Sequence, residues 1–345
     1  MIEKYIHDIY NKKIDHYEGY ESFCYQNCQR IILEYAYGSN AILFINTVPS
    51  IEIEAMDKLR LREKYDFRSL LPSVNKYTNR FYYKDDESTE DILNRNIKFV
   101  YENKNPIIVG ADTFFLPYSA NYKKRHAKHT LILCGFDLTR NVVYVIDWYS
   151  PWFYKGEVDI ETFLQARNSK NEKDDSYYSG SPIENNWAYI EKIPQYSADK
   201  LFDETIKLSK KIYFNDSDNG VIAALSLLLK YISVMENETD YNSVFYYMYT
   251  LLNRKKIFLQ YIEYYSNLKQ LDRNTIFITQ LKKNIANWDV IVILLLKQSK
   301  RYNVKTRNHL IDKISKSISE ELIMIQTIEK LFWKRRMFID EIKFI

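Results

Sequence analysis

The sequence contains little glycine and proline, and both are concentrated before residue 195. Only seven of its 345 residues are glycine and seven are proline, against 31 tyrosines and 18 phenylalanines. All seven prolines lie at or before Pro194, and the 151 residues that follow contain a single glycine, Gly220. Because the two parts of the chain differ so much in the residues that interrupt regular structure, we predict two domains, 1–195 and 196–345.

Long apolar runs are missing as well. The longest, such as Val290–Leu296, are far shorter than the ~20 residues that a membrane helix needs. The first eight residues, MIEKYIHD, carry charges where a signal peptide has an apolar core. Three cysteines are too few, and odd in number, for a disulfide framework. We therefore expect a cytoplasmic protein with reduced thiols and no membrane partner.

An excess of one charge is also lacking. The chain has 49 basic and 45 acidic residues, divided 26 to 29 over 1–200 and 23 to 16 over 201–345. A nucleic-acid-binding domain concentrates basic residues more strongly than this. The charge pattern therefore predicts no nucleic-acid partner, and nothing in the sequence indicates an oligomeric state.

What the second part does contain is helical periodicity. Apolar residues recur at three- and four-residue spacing, which is typical of amphipathic helices. Asn215–Gly220 reads as a turn before a helix, and 299–306 as a polar break. We predict an all-α bundle of five or six helices from segments that include Val221–Met235, Asn242–Leu252, Lys255–Asn267, Asn274–Lys297 and Asn308–Ile342.

The first part mixes helix and strand patterns. Ser22–Tyr37 and Asp91–Asn103 are predicted helices, the first ended by Gly38. Asn168–Ser181 is polar and is predicted to be a mobile loop. The fold class is therefore α+β, with predicted strands at Ala41–Thr47, Pro106–Gly110, His129–Phe136 and Asn141–Asp147.

The last two strands bring two polar side chains together. Asp137–Arg140 is a polar turn of hairpin length. If Phe136 pairs with Val142 across it, His129 and Asp147 become diagonal neighbours on one face, roughly 7–8 Å apart at the backbone. A carboxylate at that position can fix the tautomer of the imidazole and stabilise its charged form. The hairpin therefore predicts that His129 is a base and that Asp147 orients it.

A nucleophile is available at the start of the first helix. Cys24 lies where backbone N–H groups and the helix dipole favour a thiolate. Cys28 lies one turn later, on the same apolar helix face as Ile31 and Ile32. Cys134 is an odd number of residues from His129 on a predicted strand, so its side chain should point to the opposite face of the sheet. Both are therefore predicted core thiols. The order Cys, His, Asp matches the papain-like arrangement, in which a cysteine activated by histidine carries out acyl transfer.

These residues resemble a known family. The Cys24-Tyr25 helix start and Tyr35–Gly38 are similar to the N-terminal motif of proteins related to butirosin biosynthesis protein H, whose domain is similar to the bacteriocin-processing cysteine peptidases. The resemblance covers roughly residues 15–170 in scattered motifs, and more weakly 254–259 and Trp288. Its further motifs are DTFFLPY at 112–118, HAKH at 126–129 running into LILCGFD at 131–137, VYVID at 143–147, Gly156 and Phe163.

The resemblance implies a papain-like domain with Cys24 as nucleophile, His129 as base and Asp147 as orienting group. It also implies an acyltransferase that takes an acyl group from a carrier-protein thioester to a small-molecule amine, as in antibiotic and other peptide pathways, without a cofactor. Asp112 and Tyr118 are implied to line the acceptor site.

Two features depart from the family pattern. Asp147-Trp148 replaces Asp-Pro, and no glutamine precedes Cys24 in residues 17–22. Backbone amides near Cys24, with Gln26 or Asn27, are then the candidate oxyanion donors, and Tyr25 and Gln26 are the candidate substrate-binding residues beside Cys24.

Other functions fit the same residues. The triad also serves a hydrolase, peptidase or thioesterase, in which water is the acceptor. Cys24, Cys28, His126 and His129 could instead hold zinc in a non-catalytic binding or scaffold protein, although His-x-x-His on a strand would point its two rings to opposite faces. The basic run Lys123–Lys128 is either a solvated loop or an attraction site for an acidic carrier.

Overall fold

The computed structural model describes residues 2–15, 18–48, 52–54, 60–62, 70–83, 87–149, 152–174, 176, 178–213, 221–271 and 275–342. The predicted turn Asn215–Gly220 lies outside them. The strands of the described residues are β1 (Lys4–Ile6), β2 (Glu52–Glu54), β3 (Arg60–Arg62), β4 (Thr78–Phe81), β5 (Ile107–Asp112), β6 (Lys128–Asp137), β7 (Val142–Tyr149), β8 (Trp152–Asp159) and β9 (Trp187–Ile190). The α-helices are α1 (Cys24–Tyr37), α2 (Pro72–Asn75), α3 (Thr89–Asn103), α4 (Ile160–Arg167), α5 (Ala198–Tyr213), α6 (Val221–Val234), α7 (Glu238–Leu268), α8 (Thr275–Lys300) and α9 (Val304–Ile342).

An antiparallel sheet region is followed by a C-terminal helical bundle of α6–α9, so the protein is α+β. The sheet has seven strands in the order β4-β9-β5-β6-β7-β8, with β1 paired to β6. The first six residues of β6 pair with β5, and its last three pair with β1. Strands β2 and β3 form a separate antiparallel pair.

One apolar cluster fills the space between this sheet and helices α3 and α4. Leu131 and Leu133 of β6 share it with Val143 and Val145 of β7. Apart from Phe136, the strand residues of the cluster alternate along each strand, which is the pattern of a sheet with one face on the core. The cluster fixes the register of the hairpin, because a slip by one residue would turn these side chains away from it.

The hairpin register is as predicted at its open end and shifted at its turn. Ile132 pairs with Ile146, which is the predicted register, but Phe136 pairs with Val143 instead of Val142. A bulge between Leu133 and Gly135 accounts for the difference. It places Phe136 in the same apolar cluster as Leu133, whereas strict alternation would turn its ring to the other face.

One local prediction was wrong, and a second is confirmed as to its lack of regular structure. Residues 41–47 are not a strand, because Gly38–Phe44 forms a 3-10 helix whose Ala41–Phe44 side chains are buried, and only Ile45 makes a bridge, to Leu70. The loop at 168–181 lacks regular structure in its described residues, but Asn171 is fully buried and donates to the carbonyls of Tyr178 and Ser181.

The helices after Pro194 number five in the described residues. The predicted segments Asn242–Leu252 and Lys255–Asn267 are one continuous helix, α7. No described helix combines the length and the apolar character that crossing a bilayer requires.

The chain forms two compact units. The first consists of Met1–His16, Phe23–Ile45 and Arg68–Gln195, and the second of Tyr17–Ser22, Asn46–Phe67 and Tyr196–Ile345. Within the second unit, Gly19 has a φ of +99° and a Cβ there would lie 2.6 Å from the Asn253 carbonyl oxygen of α7. Tyr17–Ser22 and Asn46–Phe67, which precede Pro194 in the sequence, are thus grouped with the second unit.

Candidate functional site

Cys24 is the first residue of α1, as its predicted place at a helix start requires. The capping residue, Phe23, provides no side-chain hydrogen bond to the first turn. Cys24 is partly exposed, whereas Cys28 and Cys134 are buried. The thiol of Cys24 is therefore the most accessible of the three and lies at the positive end of a helix dipole.

Two contacts dock the first two turns of α1 against the hairpin. Asn27 Nδ2 donates to the Trp148 carbonyl at 3.1 Å, and Cys28 Sγ donates to the Thr130 carbonyl at 3.5 Å. Asn27 and Cys28 lie three and four positions after Cys24, so all three share one helix face. Their acceptors are the direct neighbours of Asp147 and His129, which explains why the helix start lies beside that pair.

His129 is held between a carboxylate and the thiol. Its Nε2 lies 2.7 Å from Asp147 Oδ1, and its side chain also hydrogen-bonds Cys24. Because Nε2 is engaged with Asp147, Nδ1 is the ring nitrogen left for the thiol. His129 and Asp147 are 5% and 4% exposed. The predicted proximity of His129 and Asp147 is thus confirmed, and the structure adds Cys24 to the same chain of contacts.

The surroundings of His129 favour its charged form. Burial lowers the pKa of the imidazole, but the charge of Asp147, its hydrogen bond and the contact with Cys24 outweigh burial and raise that pKa well above its usual value. An imidazolium beside a thiol favours the thiolate. A thiol and an imidazole arranged in this way have the geometry that nucleophilic chemistry by a cysteine requires.

Tyr118 lies on the other side of the carboxylate. Its hydroxyl donates to Asp147 Oδ2 at 2.9 Å. Its ring stacks on Tyr154, with centroids 3.8 Å apart and planes 6° apart. The resemblance implied a substrate contact for Tyr118, but its hydroxyl group faces Asp147.

Tyr25 and Gln26, the other predicted substrate-binding side chains, have different surroundings. Arg80 Nε donates to the Tyr25 hydroxyl at 3.1 Å, and its guanidinium lies 4.6 Å from the centre of that ring. Burial raises the pKa of Tyr25 to about 12, so it stays neutral. Gln26 is completely buried. The Gln26 side chain is therefore not placed to meet a substrate, while Tyr25 is half-buried.

Asp112 is a structural residue rather than a lining residue. It is completely buried. Its Oδ1 accepts from the amides of Phe114 and Ala127, and its Oδ2 accepts from His126 Nδ1 and Ser169 Oγ, both at 2.6 Å. With four donors on two oxygens, the carboxylate has no capacity left for an acceptor substrate. The expected role of Asp112 in an acceptor site is not supported.

The four groups of the zinc alternative do not meet. His126 is bonded to Asp112 and stacks on Phe114 with ring centroids 4.3 Å apart, while Cys28 faces the Thr130 carbonyl. Within the described ranges, no three His, Cys, Asp or Glu side chains are grouped as metal ligands. Burial raises the pKa of Cys28 and of Cys134 well above the usual thiol value, which suits core thiols and not ligands.

The basic run leads into β6. Lys123, Lys124 and Arg125 are exposed, and Lys123 adopts a φ of +52° in a turn. The Lys128 ammonium donates to the Pro182 carbonyl at 2.7 Å and is thereby directed away from His129. Three cations thus remain at the surface just before the strand that carries His129.

Sequence reasoning missed Tyr154 and Ser169. Tyr154 pairs directly opposite Asp147 in the β7–β8 register, so a predicted strand β8 would have placed it at the site. No sequence pattern indicates the contact of Ser169 with Asp112, because Ser169 lies in a loop 57 residues away in sequence.

Comparison with known proteins leaves the family open. No protein-family model matches the chain, and no curated protein matches its sequence significantly.

Proposed function

We propose that the protein is a cysteine-dependent acyltransferase of papain-like type, as the resemblance to the butirosin biosynthesis protein H family implies. The observation that carries the proposal is the chain of contacts from Cys24 through His129 to Asp147. The thiol is partly exposed, the imidazole is held by a buried carboxylate, and the helix dipole favours negative charge at the sulfur.

The chemistry balances without an added reagent. Cys24 Sγ, as thiolate, attacks the carbonyl carbon of an acyl thioester, and the thioester C–S bond breaks. The departing thiolate takes the proton that His129 carries. The nitrogen of an amine then attacks the acyl-Cys24 carbonyl and gives a proton to His129 as the new C–N bond forms and the C–Sγ bond breaks. Asp147 stabilises the imidazolium before and after each cycle.

The negative oxygen of each tetrahedral intermediate requires hydrogen-bond donors. Cys24 begins α1, so the backbone N–H groups at the positive end of the helix dipole are the proposed donors. The Gln26 side chain has no such role here because it is buried.

A carrier protein is the proposed donor. Carrier domains present their thioester on a phosphorylated pantetheine arm, and the exposed cations Lys123 and Lys124 would attract such an anion. The absence of a glutamine before Cys24 favours acyl transfer over peptide hydrolysis, because the family's peptidases place that residue in their oxyanion hole.

The proposal predicts a covalent intermediate on one cysteine. The protein is incubated with a simple acyl-pantetheine thioester and analysed by intact-mass and peptide mass spectrometry. We expect a single acyl group on Cys24, lost in Cys24→Ala and retained in Cys28→Ala, which is the matched control on the same helix face. An adduct on Cys28, or none on any cysteine, contradicts the proposal.

The fate of the adduct separates the two candidate reactions. Addition of a panel of primary amines should discharge acyl-Cys24 to amides faster than water does. Discharge at the same rate with and without amines would identify a thioesterase, which the same triad supports.

A further inference from the structure

We propose that Tyr118 is a positioning residue that holds the Asp147 carboxylate for His129, and that it does not bind the substrate. This inference rests on the proposed function, because it assigns a part of the same site. Both oxygens of the Asp147 carboxylate are engaged. Oδ1 is bonded to His129, and Oδ2 is bonded to Tyr118.

Each oxygen has one donor among the described residues. Asp147 is 4% exposed, so water does not readily replace a missing donor. A buried acceptor left without its donor is destabilising, and more so when it is charged. The Tyr118 hydroxyl therefore fixes the orientation of the carboxylate. The carboxylate in turn stabilises the His129 imidazolium through its charge and its hydrogen bond.

The Tyr118 ring is fixed independently of its hydroxyl. It stacks on Tyr154, whose own hydroxyl donates to the Glu157 carbonyl at 2.6 Å. Burial, followed by the charge of Asp147, raises the pKa of Tyr118 well above its usual value, so the hydroxyl keeps its proton and remains a donor. Among the described residues, the titratable groups that interact with this carboxylate and imidazole are Cys24, Cys28 and Tyr118, and Tyr154 is stacked on Tyr118.

The stacked pair provides a matched control. Tyr118→Phe and Tyr154→Phe each remove one hydroxyl from the same stack and keep both rings. Only the first hydroxyl touches Asp147. A role in packing predicts equal effects for the two variants, whereas a positioning role predicts an effect of Tyr118→Phe alone.

The test is the rate at which iodoacetamide alkylates Cys24 in the full-length protein, measured by mass spectrometry from about pH 5 to 9. In Tyr118→Phe we expect the acidic limb of the profile to move upward by about half a pH unit, which slows labelling on that limb by up to about threefold. Tyr154→Phe should remain within about twofold of the wild type. Coincident profiles for Tyr118→Phe and the wild type would overturn the inference, as would equal shifts in both variants.

A second measurement shows whether Tyr118 acts through Asp147. In the Asp147→Asn background, Tyr118→Phe should cause no further loss of labelling rate, because its target carboxylate is already gone. Additive losses would overturn the inference. If wild-type Cys24 labels no faster than Cys28 and Cys134, the proposed function itself fails, so the two failures are distinguishable.

Discussion

Asp147→Asn tests the electrostatic core of the site. The substitution keeps the shape of the side chain and its oxygen for His129 Nε2, now 2.7 Å from Asp147 Oδ1, but it removes the charge. His129 is 5% exposed, so its imidazolium would be left buried without a counterion. Breaking a buried ion pair in this way costs about 3–5 kcal/mol, which reduces the imidazolium population about 100-fold or more.

The expected consequence is a loss of thiolate at neutral pH. Alkylation of Cys24 near pH 7 should slow about 100-fold in Asp147→Asn, toward the rate of an ordinary neutral thiol. The assay is time-resolved labelling with limiting iodoacetamide. Cys28→Ala, which removes a thiol that faces a backbone carbonyl, is the control.

The same substitution should reverse the pH dependence that His129 gives to the free energy of unfolding. In the wild type the pKa of His129 is raised, so its contribution is fully present below about pH 6.5 and is lost as the pH rises through the folded-state value. In the variant burial still lowers this pKa while only the contact with Cys24 raises it, so the pKa of His129 falls and stability should decrease as the pH drops below about 6.5. Urea unfolding at several pH values measures this difference. An unchanged labelling rate together with parallel stability curves would refute the assignment of His129 and Asp147.

Three further predictions concern residues around the site and in the bundle. Cys28→Ala should leave Cys24 labelling within about twofold and lower the unfolding free energy by about 1 kcal/mol, measured by urea titration, because Cys28 is a buried thiol; a large loss of labelling would assign it a chemical role. Asp112→Asn should lower the free energy of unfolding by about 1–3 kcal/mol, because the new amide group faces hydrogen-bond donors. The dependence of deacylation on amine concentration should not change. A higher amine concentration needed for deacylation would instead indicate that Asp112 belongs to an acceptor site. Lys255→Met should lower the free energy of unfolding by about 3–5 kcal/mol, because it leaves the buried Glu321 without its positive partner. The double variant Lys255→Met, Glu321→Leu should recover most of that loss in urea unfolding. Equal losses in the two variants would contradict an ion-pair origin.

The sequence predicted what depends on local pattern. The helix that begins at Cys24 follows from apolar spacing and from Gly38 at its end, and the His129–Asp147 contact follows from hairpin geometry alone. The bulge was missed because its cause is tertiary. Phe136 enters the apolar cluster, and Gly135 lies where a Cβ would be 2.5 Å from the Tyr5 carbonyl oxygen of β1.

The division of α7 into two helices failed for a related reason. Asn253 and Arg254 look like a polar interruption before Lys255, but all three are buried. Each has a partner from a distant part of the second unit: Ser22 Oγ, the Asn46 carbonyl and Glu321, respectively. A sequence reveals polarity but not whether a distant partner satisfies it, and the same limit hid the saturated environment of Asp112.

The bulge at Cys134 has a consequence for how this protein can vary. It separates the part of the hairpin that carries His129 from the part that ends in the turn at 138–141. On the His129 side, β6 is held in register by β5 and β7 is held by β8. Insertions or deletions in the turn should therefore be absorbed beyond the bulge, without moving His129 relative to Asp147. Loops of different length at this turn become a route by which related chains could diversify at their surface while keeping one chemistry.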